Sequence, residues 1–189
     1  LDAATERARL LSGRDTDSYF EALAVRLSYR CDPVAQLRRL AELCGKTNQF
    51  NLALRRFTEP ELSRLMREDN GSVVSVQLSD QLADSGTVAV VVGVRDDCRL
   101  LIEELCVSCR ALGRRLEDAI VFGAIRAMPA FAGCTEVAFR VRRGPRNRPA
   151  LDWLVRFLDG ELPNADIALL PAMHVAGFTP HPSLTLAHA

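Results

Sequence analysis

VVSVQLSDQLADSGTVAVVVGVRDDCRLLIEELCV, residues 73–107, decides the fold. Its first eight residues alternate apolar and polar, Gly86 to Val94 is a continuous, largely β-branched run, and Leu100 to Val107 follows the turn Arg95-Asp96-Asp97-Cys98. Branched side chains at these spacings fit a pleated, buried surface, so the stretch predicts three consecutive strands. Short connections make them an antiparallel meander. The middle strand is apolar on both faces, which predicts a central place with a layer on either side.

Helical patterns flank the meander. LEDAIVFGAIRAM, from residue 116, puts Leu116, Ile120, Ala124, Ile125 and Met128 on one face, and Pro129 is placed to stop it. TEVAFRVR then predicts another strand and ALDWLVRFL another helix. Upstream, TDSYFEALAVRL (16–27) has Phe20, Leu23, Ala24 and Leu27 at helical spacing, and Tyr29 to Asp32 completes a short strand. Pro33 opens a helix with the stripe Val34, Leu37, Leu40, Ala41 and Cys44, ending at Gly45, and Thr58-Glu59-Pro60-Glu61 is a capping box for the next. This order predicts a mixed α/β protein: a central, mostly antiparallel mixed sheet flanked by helices. A helical extension is expected over 1–24 and one domain over 25–189. In the tail, Ile167 to Leu170 is a candidate strand, and His174, His181 and His188, spaced by seven among prolines, are expected in loops. That spacing matches no zinc pattern, and no metal site is predicted.

Composition bounds the function. Arg and Lys total 24 and Asp and Glu total 24, so no domain-wide positive field exists to attract nucleic acid. The longest apolar stretch, Thr87 to Val94, is far too short to cross a membrane, and the charged opening LDAATERARLLSGRD lacks a secretory core. Six cysteines without an export signal predict reduced thiols and a cytoplasmic location.

Between the third strand and the helix lies Ser108-Cys109-Arg110-Ala111-Leu112-Gly113-Arg114-Arg115. A turn entering a helix offers backbone N–H groups and the positive end of the dipole, which suit phosphate. Gly113 allows close backbone approach, and the arginines supply forked donors. The same field favours a thiolate over a thiol at Cys109, and a thiolate attacks an activated carbonyl to carry an acyl group. Strand alternation sends Cys106 inward and leaves Cys109 at the mouth. Asp84, Glu103 and Glu104 are the candidate general bases.

Arg110-Ala-Leu-Gly113-Arg-Arg115 resembles the pyrophosphate loop of the GCN5-related N-acetyltransferase (GNAT) fold, with Arg115 where that pattern has a small residue. KTNQFNLALRRFTEPEL, SVQLSDQLADSGTVAVVV, SCRALGRRLEDAI and RNRPALDWL together resemble the C-terminal, GNAT-like half of FkbH-type proteins, in the same order. That resemblance implies an acyltransferase passing a glyceryl group, from 1,3-bisphosphoglycerate, through a cysteine thioester to the phosphopantetheine of an acyl carrier protein in polyketide extender-unit synthesis. It implies a haloacid-dehalogenase-type phosphatase partner, a half this sequence does not contain, and phosphopantetheine or a CoA thioester as co-substrate. Residue by residue, it implies Cys109 as acyl carrier and Thr47, Asn48, Gln49 and Asn51 as substrate contacts. Arg110, Gly113, Arg114, Arg115 and Asn147 are implied as contacts of the thioester cofactor. Two other readings stand beside it: a non-catalytic module docking a carrier protein or phosphatase, and a CoA-dependent N-acetyltransferase.

Overall fold

The computed structural model describes residues 5, 16–158 and 160–188. The extension expected over 1–24 therefore lies mostly outside the described residues. Its last part is α1 (Thr16–Leu23), whose Phe20 and Leu23 are buried in the same core as the sheet. The helix stops before Leu27 because Ala24 takes a left-handed conformation, φ 46°, while its N–H still reaches the Phe20 carbonyl. Val25 to Leu27 then enter the sheet instead of prolonging the helix.

The elements continue as β1 (Arg26–Cys31), a 3-10 turn (Val34–Gln36), α2 (Leu37–Lys46), α3 (Glu59–Leu65), β2 (Gly71–Ser79), β3 (Asp84–Asp96) and β4 (Arg99–Val107). After these come α4 (Glu117–Ala127), a 3-10 turn (Pro129–Phe131), β5 (Glu136–Arg140), α5 (Arg148–Val155), β6 (Ile167–Pro171), α6 (Ala172–Ala176) and β7 (Thr185–His188). One sheet of seven strands runs β6-β5-β4-β3-β2-β1-β7. The meander expected from 73–107 is present as β2, β3 and β4, paired antiparallel, with β3 central. Among the described residues parallel pairs occur only at β4–β5 and β1–β7.

Both faces of β3 are covered, which is why its sequence is apolar without alternation. Ala89 and Val91 belong to the larger core with Ile120, Ile125 and Trp153 of α4 and α5, and Val90 and Val92 belong to a smaller core with Leu40, Cys44, Leu62 and Leu65 of α2 and α3. The Thr58–Glu61 capping box forms as expected, with the Thr58 N–H donating to Glu61 at 2.8 Å. Val34, by contrast, is exposed: the first turn after Pro33 is 3-10, so the buried stripe begins only at Leu40. On the other face α4 lies close to β1, where a Cβ on Gly123 would fall 2.3 Å from the Tyr29 hydroxyl oxygen. That hydroxyl donates to the Ala119 carbonyl at 2.8 Å.

In the tail only His181 lies in a loop; His174 is in α6 and His188 in β7. The expected strand at Ile167 is present as β6. Strand β7 carries no period-2 signal and forms because Thr185 to His188 pair parallel with Arg26 to Tyr29. Among the described residues no helix is long and apolar enough to cross a membrane.

Candidate functional site

The site grows from one irregularity. β4 pairs with β5 only over Arg99–Ile102, and the β3–β4 register shifts between Val92 and Gly93, opposite Glu103. A bulge of this kind bends a strand and ends its regular pairing. Beyond it β4 leaves β5, and the chain's own segment Phe50–Leu52 lies alongside β4. The Val107 N–H donates to the Phe50 carbonyl at 2.9 Å, and Asn51 forms an antiparallel bridge with Cys106. On the far side the Arg142 N–H donates to the Leu52 carbonyl at 2.8 Å. The splayed end of the sheet is thus filled by residues 50–52.

This insertion assigns the two buried asparagines. Asn51 donates to the Thr47 carbonyl and the Cys106 Sγ and accepts from the Leu54 N–H. Asn147 donates to the carbonyls of Asn51 and Arg142 and accepts from the Gly144 N–H. Asn147 stands at the N-cap of α5 without making a side-chain cap, and neither residue is exposed. Both amides hold the inserted segment against backbone, so neither presents itself to a ligand from solution.

Thr47, Asn48 and Gln49 precede the insert and remain at the surface. With Ser108, Cys109 and Arg110 they border a cavity of about 460 Å³ that opens where β4 ends. Cys109 and Arg110 are exposed, whereas Cys106 is fully buried, as are its strand neighbours Leu105 and Val107. Arg39 and Lys46 of α2 and Arg146 before α5 complete the rim, together with Glu42. Of these, Arg39, Glu42 and Lys46 carry no local sequence signal of a site, since on α2 they have the spacing of an ordinary solvated face. Glu42 lies 3.8 Å from Arg39 and 3.7 Å from Lys46, so one carboxylate answers four cations.

The glycine loop is arranged differently from an open phosphate cradle. Gly113 takes φ +72° with nothing near its absent Cβ, but its N–H donates to the Glu117 carboxylate at 2.9 Å. A ligand anion would compete with that carboxylate. Arg114 turns inward, buried and paired with Asp80, while Arg115 is exposed at φ 57°. A second cavity, about 460 Å³, lies on this side, bordered by Gly113, Glu117, Phe50, Trp153 and Arg156. Gln49 lines both cavities. Trp153 belongs to an aromatic cluster with Phe50, Phe122 and Phe139, and its indole N–H donates to Asp118 at 2.7 Å.

None of the three candidate bases lines the Cys109 cavity. Asp84, exposed at the first residue of β3, accepts from the Gly86 N–H. Burial pushes the Glu103 carboxyl up, but hydrogen bonding and charge from Arg140, followed by Arg55, outweigh it and hold it below the usual carboxylate range. Glu104 is fully buried, and burial raises its carboxyl despite hydrogen bonds from the Arg56 and Leu105 N–H groups.

No family model matches the sequence, and no curated protein matches it. Solved structures do. A variant of spermidine N-acetyltransferase SpeG from Vibrio cholerae matches at 10% identity over 79% of this chain and 95% of its own, with TM-score 0.54. The ribosomal-protein-S18-alanine N-acetyltransferase from Escherichia coli matches at 12% identity over 77% of this chain and 94% of its own, with TM-score 0.55. Diaminobutyrate acetyltransferase EctA from Paenibacillus lautus, solved with L-2,4-diaminobutyric acid and coenzyme A, matches at 15% identity over 70% and 72%, with TM-score 0.50. At these identities the likeness is one of fold, and the fold is the GNAT-like one expected from the meander and its loop.

Proposed function

We propose that this chain moves a small acyl group, of the glyceryl type, through a thioester on Cys109 to the phosphopantetheine thiol of an acyl carrier protein. The observation that carries the reading is the exposed Cys109 thiol beside Thr47, Asn48 and Gln49, on the rim shared with Arg39, Lys46, Arg110 and Arg146. In the first step the Cys109 thiolate attacks the carbonyl of an acyl phosphate; the S–C bond forms, the C–O bond to phosphate breaks, and phosphate leaves with its electron pair. The surrounding cations stabilise the charge on the departing group. In the second step the pantetheine thiol, losing its proton, attacks the thioester and Cys109 departs as thiolate. The Thr47 hydroxyl and the Gln49 amide supply hydrogen bonds for a hydroxylated acyl group. An acidic carrier protein suits the basic rim.

A second reading, CoA-dependent acetylation of an amine, is favoured by the named activities of the structural neighbours. Both readings use a long thioester arm, and the two cavities meeting at Gln49 would receive one. Incubation with 1,3-bisphosphoglycerate, a separate haloacid-dehalogenase-type phosphatase and an acyl carrier protein, followed by intact mass measurement, separates them. Glyceryl on the carrier that disappears with Cys109→Ala is the expected result. Acetyl-CoA turnover that survives Cys109→Ala, with no glyceryl on either chain, replaces the first reading by the second. Carrier binding without any adduct leaves a docking module.

A further inference from the structure

Beneath the Cys109 cavity, on the sheet face covered by α2, two thiols and a carboxylate converge. Cys44 comes from α2, and Glu104 and Cys106, two residues apart, come from the same face of β4. One ligand atom from each lies within 4.8 Å of the others, and all three residues are fully buried. Among the described residues no other group of three such side chains meets this closely.

We propose that Cys44, Glu104 and Cys106 bind a thiophilic divalent cation of the zinc class and so tie α2 to β4. This reading is independent of the acyl-transfer chemistry. Two sulfurs and a carboxylate are a donor set that zinc takes, with Zn–S near 2.3 Å and Zn–O about 2.0–2.2 Å. Corners of such a tetrahedron stand about 3.5–4 Å apart, so the three atoms close on a cation with only small side-chain shifts. The three side chains supply three of the four corners.

The surroundings are built for negative charge. The Asn51 amide donates to the Cys106 Sγ at 3.1 Å, and the Arg56 and Leu105 N–H groups donate to the two Glu104 oxygens at 2.8 and 3.2 Å. Donors placed behind sulfur and carboxylate ligands fix their orientation and spread their charge, as outer-layer partners do at metal sites. Metal binding displaces both thiol protons, and any proton on the carboxyl, to solvent. Because Asn51 also bridges β4 to the inserted segment, the cation would stiffen the wall on which Thr47 to Gln49 stand.

The test uses the full chain with Cys98 and Cys109, the two exposed thiols, changed to serine. Protein treated with chelator is titrated with cobalt, and a parallel sample is analysed for zinc after equilibration and gel filtration. One equivalent of metal, a sulfur-to-cobalt charge-transfer absorption and a rise in Tm are expected. Glu104→Gln should weaken binding at least tenfold, and Cys106→Ser should abolish the sulfur band. Absence of that band from the folded parent protein overturns the proposal without recourse to any core variant. So does a band that persists unchanged when Cys44 and Cys106 are both replaced.

Discussion

The side-chain amide of Asn147 donates to the main-chain oxygen of Asn51, 2.9 Å away and 96 residues distant in sequence. With its bonds to Arg142 and Gly144 it closes the chain after β5 over the segment that fills the splayed sheet. Replacement by alanine strands the buried Asn51 carbonyl, at about 1–3 kcal/mol, and removes the partner of the part-buried Arg142 and Gly144 groups. Asn147→Ala should therefore lose about 3 kcal/mol in denaturant unfolding, and reactivity of the Cys109 thiol should change with it as the wall loosens.

Arg114 and Asp80 form a buried ion pair, with side chains 6% and 0% exposed. Removing one partner of such a pair costs about 3–5 kcal/mol, so Arg114→Met should lower stability on that scale. Arg110 is exposed, and Arg110→Ala should change stability by less than about 0.5 kcal/mol. Guanidinium titrations of the two variants, run beside acyl transfer to the carrier, separate a structural arginine from one at the cavity.

Glycine in the middle of a helix is ordinarily improved by alanine, by about 1 kcal/mol. At Gly123 the sign should reverse. The new methyl would meet the Tyr29 ring and hydroxyl at 2.3 to 2.7 Å, forcing α4 away from β1. Overpacking of this sort costs about 1–3 kcal/mol, which a lowered Tm for Gly123→Ala would register.

Glu103 is ionised between Arg140 and Arg55, and its carboxyl titrates below the usual range. The depressed folded value means the triad stabilises the protein above the unfolded carboxylate pKa, about 4.3, and that this contribution fades as pH falls through the folded value. Glu103→Gln should be less stable near neutral pH and show a flatter decline in acid. Urea unfolding between neutral pH and pH 3 measures both effects.

Thiol chemistry should sort the cysteines by position. Cys98 and Cys109 are exposed, Cys31 and Cys134 intermediate, and Cys44 and Cys106 buried. Burial raises the Cys31 thiol to about 12, with Asp32 adding to the shift, and this slows its reaction further. Peptide mapping after brief iodoacetamide treatment should find label on Cys98 and Cys109 first, and on Cys44 and Cys106 only after denaturation.

The sheet's centre was legible because local signals agreed. β-branched runs, a polar turn at Arg95 to Cys98 and an apolar β3 all pointed to one meander, and Thr58 to Glu61 announced its helix unaided. What depended on distant partners was hidden. Nothing in TLAH predicts β7, whose partner β1 lies at the other end of the sequence, and nothing in TDSYFEALAVRL marks Ala24 as the residue that turns left-handed. The same limit holds at the site. Cys109 and Thr47 to Gln49 could be nominated from their blocks and do share one cavity. The fates of Asn51, Arg114 and Asn147 depend on which groups fold beside them, and a buried arginine reads the same in sequence as a solvent-facing one.

The two rims of the sheet are β6, five residues ending in Pro171, and β7, only four residues long. Neither gives a foreign chain much ladder to zip onto, since a proline donates nothing and four residues are few. The fold thereby guards itself against rogue cross-molecular pairing, even though the strand at its heart is as sticky a run of valines as the sequence holds.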